Sequence, residues 1–198
     1  MATIYDLPLR EWILPELEWK GRYVYNWFSN FEPSERPILL SGLQFPAVEQ
    51  AYQASKFSPD RRQAFTRMTP GQSKRAGQAS GMRPDWDNVC VAAMDFLVRQ
   101  KCAVGTADLE RLALTEGDLI EANNWGDRRW GADLKGMGRN ALGLIRMNIR
   151  QDWLETRSVP AGADEQDWAA HQEVLVDRLK QIEALCPRPG GPAQLKLF

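Results

Sequence analysis

The stretch from Asn124 to Asn140, NWGDRRWGADLKGMGRN, suits neither a packed helix nor a central strand, and the rest of the chain has to fold around it. Glycines at 126, 131, 136 and 138 let the backbone turn tightly and approach a ligand closely. Trp125 and Trp130 offer flat faces for stacking a base or ring. Asp127 and Asp133 bring carboxylates, while Arg128, Arg129, Lys135 and Arg139 bring groups that pair with phosphate. Long loops of this kind inside a compact domain are usually functional, so the stretch is read as a candidate site rather than a solvated surface loop.

What flanks this loop is mostly helical. The chain has 198 residues, enough for one sizeable core with appendages. Pro46 suits a first helical turn, and a helix is expected over 47–57. Val48, Ala51, Tyr52 and Ser55 fall on one side of it, and Glu49, Gln53 and Lys56 on another at i, i+4 and i+7. Periodicity alone favours a solvated Glu–Lys face over a cleft. Residues 61–68 continue helical, and Thr69-Pro70 restarts a helix. Asp85 is expected to cap an amphipathic helix to about Lys101, and Thr106 a short one over 107–114. A further helix is expected over 139–155, with Leu142, Ile145, Ile149 and Trp153 inward and Arg146 and Arg150 outward. The glycine-rich stretch thus ends at a helix N-terminus, where an anion is expected to bind.

Strand signals are few. Residues 21–28 (GRYVYNWF) and 119–122 each read as a strand, and residues 38–40 and 43–45 flank Ser41-Gly42 as a β-hairpin. The fold class expected is mainly α, or α+β with minor β: a compact multihelical domain with a short hairpin or small sheet. Residues 1–20 form a cover segment, 21–155 the catalytic domain, 156–187 a linker and amphipathic helix, and 188–198 a flexible tail.

Composition removes several function classes. Net charge is −1 and the pI is near 5.9, so there is no global basic field for non-specific duplex binding. No secretory signal or spanning apolar run is evident, and the three scattered cysteines (90, 102, 186) lack metal spacing; a cytoplasmic protein with reduced thiols is expected. The only histidine, His171, sits among Trp168, Leu175, Leu179 and Ile182 at helical spacing, as a packing residue. Histidine acid–base catalysis and a histidine metal site are therefore set aside, leaving carboxylates, lysine or oriented amides to do any chemistry.

Several stretches in one order resemble the NADAR (YbiA-like) family. They are SNF at 29–31, VEQAYQASKF at 48–57 against that family's EHYYQAxKF, DW at 85–86, LIE at 119–121, DRRWG at 127–131 and GMGRNALG at 136–143. Two positions depart from the pattern: Gln50 stands where the family usually has histidine, and Arg146 where it usually has an aliphatic residue.

The resemblance implies hydrolysis of an N-glycosidic bond between ribose and an amino-nitrogen base, with no cofactor and no metal. It marks Glu49, Asp127 and Lys56 as catalytic: Glu49 for proton transfer, Asp127 for ribose hydroxyls or water, and Lys56 to hold Glu49 ionised or meet phosphate. Ser29, Asn30 and Gln53 are expected to hydrogen-bond substrate, and Phe31, Trp86 and Trp130 to stack on it. Gly131 joins this set, and Gly136, Gly138 and Asn140 with the helix N-terminus are expected to take a pyrophosphate.

The chain ends PRPGGPAQLKLF, and Gln194, Leu195, Leu197 and Phe198 resemble the pentapeptide by which bacterial DNA enzymes dock on the sliding clamp. That tail favours ADP-ribosylated guanine in DNA as substrate, and raises an ADP-ribosyltransferase toxin as a further candidate partner. A small N-ribosylated metabolite of riboflavin synthesis is the second reading, and a non-catalytic ADP-ribose or NAD reader the third. No membrane partner is expected.

Overall fold

The computed structural model describes residues 28–116, 118–121, 126–132 and 138–185. Both the N-terminal cover segment and the bulk of the expected 21–28 strand lie outside these residues, as do Trp125, Gly136, Cys186 and the QLKLF tail. The described residues form two strands, β1 (Ile38–Leu40) and β2 (Leu43–Phe45), and seven α-helices: α1 (Val48–Ser55), α2 (Pro59–Arg62), α3 (Pro70–Ala76), α4 (Cys90–Lys101), α5 (Ala107–Leu114), α6 (Ala141–Thr156) and α7 (Trp168–Leu185). Short 3-10 turns follow α2 and precede α4 and α7. The mainly helical class with a small sheet is what the sequence implies.

The strands pair antiparallel with Ile38 opposite Phe45 and Leu40 opposite Leu43. Ser41 and Gly42 both take positive φ, 52° and 75°, as a two-residue hairpin turn requires. The outer edge of β1 is covered by one side chain: Gln100 of α4 accepts from Leu39 N at 2.7 Å and donates to Leu39 O at 3.0 Å. Open strand edges are thereby avoided without a third strand.

Helix α4 is the axis of the core. Every residue except Phe96 and Gln100 is buried, which marks a helix surrounded on all sides. It contacts β1, α1, α6 and α7. Burying it brings charges inward, and these are paired in one network. Arg99 donates to Asp95 and Asp152 at 2.8 Å and to Pro160 O at 3.2 Å, and Arg178 of α7 meets Asp152 from the other side. Trp168, Leu175 and Leu179 of α7 enter the same apolar cluster. A second tie holds the start of α7 to the hairpin, because Glu165 receives both guanidinium nitrogens of buried Arg62 and the Ser41 hydroxyl.

Local signals place the helix starts. Thr69 and Gln72 form a reciprocal capping box with Pro70 in the first turn of α3, and Thr106 caps α5 through Leu109 N. Five expectations are corrected. Asp85 does not cap α4; it is held by Arg83 at 2.7 Å and 2.9 Å, and a 3-10 turn over Trp86–Asn88 intervenes. Residues 119–121 are not a strand. The Glu49 face of α1 is not solvated: all eight residues of that helix are buried, because α3 and α4 pack on it from two sides. Arg146 points inward and is 4% exposed, since it bonds Phe28 O and Glu121 in place of water. His171 is half-buried beside the packed stripe rather than within it.

Candidate active site

A cavity of about 570 Å3 opens between α1, α3, the Trp86 turn and the loop over 127–131. Its volume lies well inside the range of small-molecule sites. Residues Glu49, Gln53 and Lys56 reach it from α1 and the residue after its end, since spacings of four and three put them on one face. Ser29, Asn30 and Phe31 form one lip, and Asp127, Trp130 and Gly131 the other.

Glu49 is set in place at both its backbone and its side chain. Its amide donates to Asn30 O at 2.9 Å, which fixes the 29–31 segment to the start of α1. Its Oε1 accepts from Gln53 Nε2 at 2.9 Å. Burial raises the Glu49 carboxyl above its ordinary value, opposed by the Gln53 hydrogen bond and by the Lys74 and Lys56 ammonium groups. Burial also lowers Lys56, whose Nζ lies 5.5 Å from the Tyr52 ring centre and 5.7 Å from that of Trp86. A carboxyl pushed up and an ammonium pushed down, both on the wall of one cleft, suit proton transfer.

The ring faces are held against one another. Tyr52 packs 5.2 Å from Trp86 and 5.4 Å, edge-on, from Trp130. Phe31 stands more open, with Lys74 of α3 5.6 Å over its ring. Asp127 orders the turn beneath Trp130, accepting from Arg129 N at 3.1 Å and Trp130 N at 3.0 Å. Arg129 then reaches Asp87 at 2.9 Å and Cys90 Sγ at 3.2 Å.

Two buried amide oxygens in this wall, Asn30 Oδ1 and Gln53 Oε1, have no hydrogen-bond partner. The Gln53 oxygen lies against Gly77, where an added Cβ would fall 1.8 Å away. Gly77 is therefore a glycine because Gln53 occupies the space a side chain would need.

The structure brings together ten of the residues singled out from sequence: Ser29, Asn30, Phe31, Glu49, Gln53, Lys56, Trp86, Asp127, Trp130 and Gly131. It does not bring Gly138 or Asn140 to the cavity wall, and Gly136 lies outside the described residues. Gly138 has φ 142° and packs so closely that a Cβ would meet Gly131 O at 2.2 Å. Asn140, in the left-handed region at φ 54°, accepts from Glu121 N and donates to Leu119 O, both at 2.8 Å. The amides entering α6 are also committed: Arg139 N, Asn140 N, Ala141 N and Leu142 N donate to the carbonyls of 128, 131, 129 and 130. The expected anion site at that helix start is corrected accordingly, for its donors are spent on holding the glycine-rich loop.

Sequence reasoning missed Tyr52, Lys74 and Glu121 as wall residues, and named Arg129 only as a candidate phosphate partner. Tyr52 lies on the packing side of α1, and it does pack, against Trp86 and Trp130. Glu121 had a signal, in that it closes the LIE stretch. Gln50, in place of the family's histidine, is buried and donates to Met68 O, so no titrating group stands there.

A model of the NADAR domain matches residues 18–154. The chain belongs to the NADAR domain family. Among its relatives is an N-glycosidase of Nostoc punctiforme, 32% identical over 136 residues, which span 65% of this chain and 85% of that protein. The N-glycosidase YbiA of Escherichia coli is 31% identical over 64% of this chain and 81% of its own length. A riboflavin biosynthesis protein of Vibrio vulnificus is 31% identical, but this NADAR chain spans only 36% of it. The NMR structure of Escherichia coli YbiA matches with a TM-score of 0.56 and 30% identity over 66% of this chain and 79% of that one. No helix among the described residues is long and apolar enough to cross a membrane, and no cluster of metal-ligating side chains occurs among them.

Proposed function

We propose that this chain is an N-glycosidase that removes ADP-ribose from guanine bases, in DNA. The observation that carries the reading is the Glu49 carboxyl, 7% exposed and raised by burial, at the wall of a cavity between aromatic rings. Family membership and relatives named N-glycosidases support the reaction class.

In this scheme the C1–N bond breaks, its electron pair leaves with the base nitrogen, and Glu49 supplies the proton that nitrogen takes. The ribosyl carbon passes through an oxocarbenium-like state, or opens to a Schiff base, and water adds to it. Ionised Glu49 then recovers a proton from that water. Lys56 and Lys74 steady the carboxylate while it is charged. Asp127 positions the loop and the incoming water. Trp86, Trp130 and Phe31 stack on the two purine rings, a demand that a single small heterocycle would not make on three aromatic side chains. Lys74 and Arg129 meet the diphosphate in place of the α6 amides.

The DNA form is supported by the C-terminal QLKLF segment, which resembles a docking peptide for a sliding clamp. Deleting 194–198 should abolish capture of the full chain by purified clamp; no capture of the intact protein would refute that part. A second reading, hydrolysis of a small ribosylated amine, is favoured by the relative named for riboflavin biosynthesis.

The deciding experiment follows ADP-ribose release by mass from an oligonucleotide carrying it on one guanine. Release by the wild type and not by Glu49→Gln supports the proposal. An unchanged oligonucleotide transfers the case to the small-amine substrate, and ligand binding without turnover of either makes the protein a reader.

A further inference from the structure

The glutamate at the end of the LIE stretch has no part in the scheme above, yet it is among the most thoroughly positioned groups on the cavity wall. The segment carrying it is tied at each main-chain polar group next to the cavity. Leu119 O and Glu121 N are bridged by the two ends of the Asn140 side chain, and Glu121 O accepts from Ala132 N at 2.8 Å. The side chain is held as well: Glu121 Oε2 accepts from Arg146 Nη1 at 3.0 Å. Arg146 itself lies 4.9 Å from the centre of the Phe28 ring and donates to Phe28 O, next to the Ser29–Phe31 lip. One buried guanidinium thus joins the two sides of the cavity.

A buried arginine requires a counter-ion, but that need alone would be met by a carboxylate buried with it. Here the partner is 27% exposed and lines the cavity, and among the described residues Arg146 bonds only its Oε2. The arrangement fixes the carboxylate at the wall through one oxygen and leaves the other available to a ligand.

We propose that Glu121 is a ribose-binding residue, its Oε1 accepting hydrogen bonds from the vicinal hydroxyls of the substrate's ribosyl group, with Arg146 as its positioning residue. The inference rests on the N-glycosidase reading, which puts a ribosyl group in this cavity. Carboxylates recognise ribose hydroxyls in the same way in dinucleotide sites, where they also repel a phosphate on that hydroxyl. Arg146, at one of the two positions where the sequence departs from its family, keeps the acceptor aimed.

The test is calorimetric titration of the full chain with ADP-ribose and with its analogue lacking the 2-hydroxyl on the terminal ribose. Wild type should bind the deoxy analogue about 10- to 100-fold more weakly, the worth of one hydrogen bond to a charged group. Glu121→Gln should bind ADP-ribose with a similar loss and no longer distinguish the two ligands. Arg146→Met should narrow the same ratio, which simple destabilisation would leave unchanged because both ligands see one folded population. Equal binding of both ligands by wild type, or full discrimination retained in Glu121→Gln, overturns the proposal and leaves the N-glycosidase reading intact. Binding of neither ligand by wild type overturns both. The comparison of ligands on wild type needs no variant to fold.

Discussion

Gln53 donates to Glu49 across one helical turn at 2.9 Å, and the far side of the same amide lies where Gly77 has no side chain. The helix α3 behind the site therefore sets the position of the proposed acid through a single carboxamide. Gly77→Ala places a Cβ 2.7 Å from Gln53 Cδ, so the amide must leave its seat. A fall in kcat of about 10- to 100-fold is expected from loss of orientation, with a stability cost of about 1–3 kcal/mol for overpacking. Steady-state kinetics alongside circular dichroism check it; unchanged kcat in a folded variant would refute the coupling.

Glu49 also gives a pH-dependent stability of known sign. Its carboxyl titrates above the 4.5 of an unburied glutamate, so the folded state holds that proton more tightly than the unfolded chain does. Its contribution is complete below the unfolded value and is lost as pH rises through the folded one. Glu49→Gln should thus be more stable than wild type at pH 7, with the advantage gone in acid. A gain of about 1 kcal/mol would read as roughly 2–4 °C in Tm. Equal melting temperatures at both pH values would sink this.

The lysines bear on the rate profile. With Glu49 acting as the acid, kcat/KM falls as pH rises through its pKa, and both Lys74 and Lys56 pull that value down. Lys74→Met should shift the alkaline limb to higher pH. A limb that stays in place, or shifts down, would separate Lys74 from Glu49.

Off the cavity wall, the Asp95–Arg99–Asp152 network should govern folding alone. Arg99→Met leaves Asp95 buried without its partner, and a loss of about 3–5 kcal/mol is expected for breaking such a pair. Urea midpoints measure the loss. Because Arg99 is not on the cavity wall, KM of the surviving folded protein should not change.

The sequence was most informative where structure is local. The Ser41-Gly42 turn, the Thr69 and Thr106 caps and the i, i+4, i+7 alignment of Glu49, Gln53 and Lys56 all depend on neighbours a few residues away. Burial of the Glu49 face was not legible, because α3 and α4 supply it from 20 to 50 positions further on. Arg146 misleads for the same reason: its charge suggests solvent, and its partners Phe28 and Glu121 are remote in sequence. The α6 start carries every mark of an anion site until the carbonyls of 128–131 are seen to occupy it. Motif order, rather than periodicity, is what pointed to the site.

Helix α7 begins well past residue 154, where family similarity stops, yet Trp168, Leu175 and Leu179 close the apolar side of α4 and α6. The stretch that the family model matches is consequently smaller than the packed unit of this chain. A chain cut at the edge of its homology would bare the side of α4 that α7 covers, and with it the Asp152 and Arg99 pair. In this chain the C-terminal helix covers the core from outside the matched sequence, and its loss would be felt as insolubility before any question of catalysis arose.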